Sequence, residues 1–231
     1  MKTLPIIQAL KHIVFPHLCE GCADSRLPSN QLLCAACLVQ LPETKFAADT
    51  QNAMATQFFG RIHLEHAIAA YYFTKNSLLQ HLMVQLKYRN QPQVGFYLGQ
   101  QLGYQLKQYE QLNDIDILVP LPLNEKKKAK RGYNQAEEIV KGMISIWPKE
   151  MDTVSVVRNV FTESQTTHSR VERLQNMQGV FAIANPEKLA NKHIALVDDV
   201  VTTGATIEAC GEKILAIEGT KLSVLSVAFT L

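Results

Sequence analysis

No stretch of this 231-residue chain comes near the roughly 20 consecutive apolar residues that a membrane-spanning helix needs. The opening segment does not read as an export signal either. The opening run MKTLPIIQALKHIVF is apolar, but Lys11 and His12 cut it and no small-residue cleavage site follows. It reads as an amphipathic helix packed on the next module, not as a signal peptide. Strong charge is lacking as well: a formal net charge of +2 argues for neither a nucleic-acid nor a membrane partner. There is no internal repeat and no low-complexity segment. These absences predict a cytoplasmic protein in a reducing compartment, where clustered cysteines point to metal rather than to disulfides.

What is present is the composition of a soluble globular chain, 47% apolar and 19% charged, long enough for one α/β domain and a small appendage. The expected division is an N-terminal helix and cysteine module over residues 1–45, a linker over 46–66, and the main domain over 67–231. The linker assignment rests on the polar stretch from Thr44 to Thr56. Strands are expected over 67–73, 115–119, 154–157, 180–184, 194–197 and 222–229. Helices are expected over 77–109, with a break near Asn90 to Pro92, over 134–147, stopped by Pro148, and over 206–217, closed by Gly219. Strands alternating with helices imply a mainly parallel sheet with helices on its faces.

Cys19-x2-Cys22 and Cys34-x2-Cys37 form two knuckles separated by eleven residues. Each can aim two thiolates at one ion, and Gly21 suits the tight turn of the first. Four sulfur ligands in a tetrahedron suit zinc and make a closed, structural site. Disulfides, unrelated buried thiols and iron are the alternatives. Cys210, alone in an expected helix, reads as a core thiol, and His17 as a surface or packing residue.

The most informative segment runs from Ile194 to Thr206. Four apolar residues make a buried strand, and Asp198 and Asp199 stand at its carboxyl end, where ligands bind in open α/β sheets. Thr202, Thr203, Gly204, Ala205 and Thr206 then make a small-residue loop that opens a helix. Such a loop presents amides, hydroxyls and a positive helix end to a phosphate. Two acids would repel that phosphate, so they suit the vicinal hydroxyls of a ribose instead. The bland alternative is a capped helix start with solvated aspartates.

This segment resembles the phosphoribosyl pyrophosphate (PRPP) signature of type I phosphoribosyltransferases, and the chain as a whole resembles the ComF family of competence proteins. The resemblance includes the four cysteines, Leu86-Lys87-Tyr88, Val119-Pro120-Leu121-Pro122, Arg131-Gly132-Tyr133-Asn134-Gln135 and Thr162-x2-Gln165. It continues through Arg173-x2-Asn176 and Phe181 to the loop after Asp199. It implies a type I phosphoribosyltransferase-like α/β fold. Thr202 to Thr206 would hold the 5′-phosphate, Asp198 and Asp199 the ribose hydroxyls, and the turn at Leu121 would approach the pyrophosphate, with Mg²⁺ bridging ligand oxygens. His168 stands where the family more often has an apolar residue and is assigned to the surface. Tyr133 stands where Phe is more usual, a change expected to matter little. Thr202 occupies the position of the purine-salvage aspartate base, which argues against a 6-oxopurine acceptor.

Lys126, Lys127, Lys128, Lys130 and Arg131 crowd the segment 124–132, expected to be a loop. A lysine run is ordinarily a solvated surface. Following the pyrophosphate turn, it reads here as a basic lid that neutralises the leaving group, with Arg131 the foremost phosphate ligand. Asp198, Asp199 and Arg131 are thus the expected catalytic set. Two functions follow from the resemblance: phosphoribosyl transfer to an unidentified acceptor, or a DNA-uptake factor binding single-stranded DNA or a helicase partner, with the PRPP site as sensor or relic.

Overall fold

The computed structural model describes residues 18–24, 27–28, 31–158 and 179–231. The expected amino-terminal helix and His17 lie outside these residues, as do Thr162, Gln165, His168, Arg173 and Asn176.

In chain order, a short helix α1 (Ala35–Leu38) carries the second cysteine knuckle, and α2 (Ala53–Phe58) precedes strand β1 (Ala67–Tyr72). Helices α3 (Leu78–Tyr88) and α4 (Pro92–Leu106) follow, then β2 (Ile117–Pro120), α5 (Glu125–Arg131), α6 (Gln135–Ile146) and β3 (Glu150–Met151). Next come β4 (Val156–Arg158), β5 (Phe181–Ile183) and a single turn, α7 (Pro186–Leu189). The chain closes with β6 (His193–Val201), α8 (Ala205–Leu215) and β7 (Lys221–Phe229).

Five of these strands form one sheet in the order β1-β7-β6-β2-β3, and every pairing in it is parallel. The residues of β6 up to Val197 and nearly all of β7 are buried, as strands covered on both faces must be. From β2 the chain proceeds to β3 on one side, and from β6 to β7 on the other. The winding therefore reverses between β2 and β6, and it is at the carboxyl ends of the strands flanking such a switch point that open α/β sheets bind ligands. Strands β4 and β5 pair antiparallel in a separate ribbon.

Helix α4 packs on α6 with almost no separation. A Cβ on Gly99 would lie 2.0 Å from the Ile139 carbonyl, and one on Gly142 1.9 Å from that of Phe96. Only glycine admits this approach.

Two expectations need correction. The stretch read as a linker is built into the fold, with Met54 and Phe58 in the core. Asn52 caps α2 by accepting from the Ala55 amide at 3.0 Å. Its side-chain amide donates to the Asp49 carbonyl at 2.7 Å and to the Ala67 carbonyl at 2.9 Å, tying α2 to the start of β1. Just upstream, Thr44 donates its amide to the Ala70 carbonyl, and Pro42 accepts from Tyr72, so this segment covers the sheet's β1 edge. The basic segment is likewise no loop. It is helix α5, capped by the Asn124 side chain and ended by Gly132 at φ 81, with no buried residue. Its residues are strong helix formers with a cap at each end, which suffices without an apolar face.

Among the described residues, no helix is long and apolar enough to cross a membrane.

Candidate functional site

The expected acids stand at the carboxyl end of β6, at the β2/β6 switch point. Strand β6 runs on past them to Val201, so Asp198 and Asp199 lie within its last turns of pleat and point to opposite faces. Asp199 is buried, and its Oδ1 lies 2.9 Å from the Lys87 ammonium at the end of α3. Burial and the neighbouring Asp199 charge push Asp198 up to about 7, against the opposing pull of the Asp199 amide, Lys87 and Arg158. The site thus holds two adjacent carboxyls, with Lys87 paired to one and Arg158 near enough to act on the other, whose proton is held to about pH 7.

Beyond the acids, the chain turns through Thr202 and Thr203 into Gly204, which caps α8 at φ 71. The carbonyls of Thr202 and Thr203 accept from Gln57 Nε2 at 2.6 Å and from Arg61 Nη1 at 3.0 Å. Arg61 also pairs with Glu208 on α8. The former linker therefore grips the loop from one side and holds its carbonyls there. Thr202, Thr203 and Thr206 are exposed. The Thr206 and Ile207 amides lie in the first turn of α8, where no carbonyl one turn back exists to accept them. A tetrahedral anion there would meet amides, hydroxyls and a helix's positive end.

Gly204 is required by packing as well as by its backbone angle. A Cβ at Gly204 would lie 2.6 Å from the Phe58 ring, on the core side of the loop. Leu121 is tied into the sheet. Its amide donates to the Val197 carbonyl at 2.8 Å, its carbonyl accepts from Asn134 Nδ2 at 3.0 Å, and its side chain is buried. Leu121 locks β2 to β6 and has no amide left to offer a ligand.

The run from Arg131 to Gln135 acts as a three-way clamp. Tyr133 Oη donates to the Leu86 carbonyl and holds the end of α3. Asn134 caps α6 through the Ala136 amide at 3.0 Å while gripping Leu121. Arg131 donates to Gln135 Oε1 at 2.5 Å, and its guanidinium sits 5.6 Å from the centroid of the Tyr88 ring. The hydroxyl that distinguishes Tyr133 from Phe is thus engaged.

Between α3 and α5 lies a cleft of about 580 Å³, walled by Lys87, Tyr88, Asn90, Lys127, Lys130 and Arg131 among others. Lys87 belongs both to this basic cleft and to the acid pair. Its run Leu86-Lys87-Tyr88 stood out in the sequence, but nothing local assigned the lysine to the site, because its partner is more than a hundred residues away.

The four cysteines converge apart from this switch point, with their sulfurs all within 4.8 Å of one another. The Cys34 and Gly21 amides donate to Cys19 Sγ at 3.2 and 3.4 Å. Burial pushes Cys19 up, but these amide bonds and one from Cys22 outweigh it and bring the thiol down to about 6. A Cβ on Gly21 would lie 2.7 Å from Cys37 Sγ, so glycine is needed for the sulfurs to close up. The donor set fits a thiophilic metal ion. Cys19 and Cys37 join the same core as the main sheet, so the module is docked rather than tethered. Cys210 is fully buried on α8, and burial pushes its thiol well up, as befits a core residue.

No protein-family model matches the chain. It is 33% identical over 103 residues to "Competence protein F" of Haemophilus influenzae, which is 44% of each chain. It is 26% identical over 140 residues to "DNA utilization protein YhgH" of Escherichia coli, covering 59% of this chain and 61% of that one. The chain thus matches about half the length of these curated relatives. A solved structure described as that of the allosteric regulatory enzyme of purine biosynthesis covers 62% of this chain and 30% of its own, at TM-score 0.44 and 14% identity. That likeness is too slight to argue from.

Proposed function

We propose that this chain, a ComF-family relative of competence protein F and YhgH, binds PRPP with Mg²⁺ at the β2/β6 switch point and transfers its phosphoribosyl group to an acceptor. The observation that carries the reading is the placement of the acid pair, the small-residue loop and a basic cleft around one topological switch point. Each part suits one portion of the ligand. Thr202, Thr203, Thr206 and the α8 amides take the 5′-phosphate. Asp198 and Asp199 accept the vicinal hydroxyls. Lys127, Lys130 and Arg131 face the diphosphate.

In the reaction the bond from the anomeric carbon to the diphosphate oxygen breaks, and a bond from that carbon to the acceptor forms. Positive charge develops on the sugar while the diphosphate leaves with its electron pair. Catalysis therefore rests on holding the ribose and stabilising the leaving group, with no covalent nucleophile required. Magnesium would sit among ligand oxygens close to the acids, where an oxygen-rich environment suits it. For the four cysteines we assign zinc.

Calorimetric titration with PRPP in the presence and absence of Mg²⁺ tests the reading. Magnesium-dependent binding is expected, and no heat at millimolar ligand overturns it. Because the relatives' names concern competence and DNA utilization, single-stranded DNA belongs in the same titration as a competitor for the basic cleft.

A further inference from the structure

Lys87 stands at the junction of two regions that a bound ligand would fill with opposite charge. Its ammonium is 2.9 Å from Asp199 Oδ1, yet its side chain also lines the cleft with Lys127, Lys130 and Arg131. Helix α3 is fixed in this register, since Tyr133 Oη holds the carbonyl of the residue before Lys87. The lysine's flexible stem is not so constrained, and its side chain as a whole is about one-quarter exposed.

Without ligand the contact has an evident role. Asp199 is buried beside Asp198, and two acids there need a counter-charge. When a ribose arrives, its hydroxyls compete for the same carboxylate oxygens. An ammonium with three rotatable donors on a four-carbon stem can leave one acceptor and reach another nearby. The cleft that Lys87 already lines is where a ligand's diphosphate would bring new negative charge.

We propose that Lys87 is a displaceable counter-ion that holds Asp199 in the empty site and passes to the diphosphate when the ribose hydroxyls take the carboxylates. This rests on the PRPP reading of the site and adds a specificity device to it. A ligand with a ribose and 5′-phosphate but no diphosphate must expel Lys87 without giving it a new partner. A ligand with all three groups provides one. The preference for PRPP over ribose 5-phosphate is then set largely by one lysine.

The test measures calorimetric affinities of PRPP, ribose 5-phosphate and inorganic pyrophosphate, each with Mg²⁺, for the wild type, Lys87→Met, Lys87→Arg and Asp199→Asn. Lys87→Met should bind PRPP about tenfold or more weakly, the effect of one charge-assisted contact, while binding ribose 5-phosphate at least as tightly as the wild type. Lys87→Arg, which keeps the charge, should retain most of the preference. Asp199→Asn should bind pyrophosphate more tightly, because Lys87 is released to the cleft. Equal loss of PRPP and ribose 5-phosphate in Lys87→Met would make the lysine a mere brace for Asp199 and overturn the proposal. Unchanged or weaker pyrophosphate binding by Asp199→Asn would overturn it too, whether or not Lys87→Met folds. A wild type that binds none of the three ligands fails the PRPP reading itself, a result visible before any variant is compared.

Discussion

A side chain placed on Gly204 would meet the ring of Phe58, with its Cβ 2.6 Å from a ring carbon, although 145 residues separate the two in sequence. Gly204 also holds φ 71, a conformation that disfavours a Cβ regardless of neighbours. Gly204→Ala should therefore destabilise the fold by on the order of 2 kcal/mol or more, combining backbone strain and overpacking. Urea denaturation measures this, and a variant as stable as the wild type would contradict it. The cleaner probes of phosphate binding are Thr202→Val and Thr206→Val, whose side chains are exposed. Each should weaken PRPP binding roughly tenfold while leaving the unfolding midpoint nearly unchanged.

The Asn52 side chain ties the turn over residues 46–55 to the start of β1. It caps α2 and donates to carbonyls at Phe46, Asp49 and Ala67. Asn52→Ala leaves buried carbonyls unpaired and removes a cap, a loss on the order of 2–3 kcal/mol. Because α2 supports the phosphate loop through Gln57 and Phe58, PRPP affinity should fall in the same variant. Chemical denaturation and titration on one preparation check both outcomes. An unaffected melting curve would return residues 46–66 to the status of a linker.

These contacts explain which parts of the fold were legible. Pro92 at a helix start, Ser77 and Asn134 as caps, and Pro148 past a helix end are local signals, and the elements they bound fall where expected. The parallel sheet followed from the alternation of strands with helices. Long-range partners leave no such local trace. Nothing near Gln57 announces the Thr202 carbonyl, and nothing near Lys87 announces Asp199. Helix α5 escaped for another reason: with every residue polar or small, its sequence has no periodicity to read. Only the Asn124 cap and the Gly132 stop mark it, and a lysine run with such ends is equally compatible with a solvated loop.

The cysteine cluster should hold one zinc ion per chain, measurable by elemental analysis of freshly purified protein. Gly21→Ala should reduce zinc content sharply even though every ligand is kept, because the new methyl group would lie against Cys37 Sγ. Cys34→Ser should do the same. Since Cys19, Cys37, Leu33 and Leu41 share the main core, metal loss should lower the melting temperature of the whole chain instead of unfolding a separate module. Two resolved transitions, with the later one unshifted, would speak against this shared core.

Asp198 makes stability depend on pH in a direction that can be worked out. Its unfolded value is near the ordinary aspartate range, about 3.9. In the folded protein, burial and the Asp199 charge raise it to about 7. Between these values the native state holds a proton that the unfolded chain has released. Stability must then fall as pH rises through this window and level off above it. Asp198→Asn cannot ionise, so its stability should decline less between pH 5 and pH 8 than that of the wild type. Ligand binding should run the other way. Ribose hydroxyls and Mg²⁺ favour the ionised carboxyl, so wild-type affinity for PRPP should strengthen as pH rises from 6 to 8. Denaturant titrations at the two pH values, with calorimetry across the same range, test both signs. Parallel stability profiles for wild type and variant would mean that Asp198 is already ionised in the free protein, with Lys87 and Arg158 outweighing its burial.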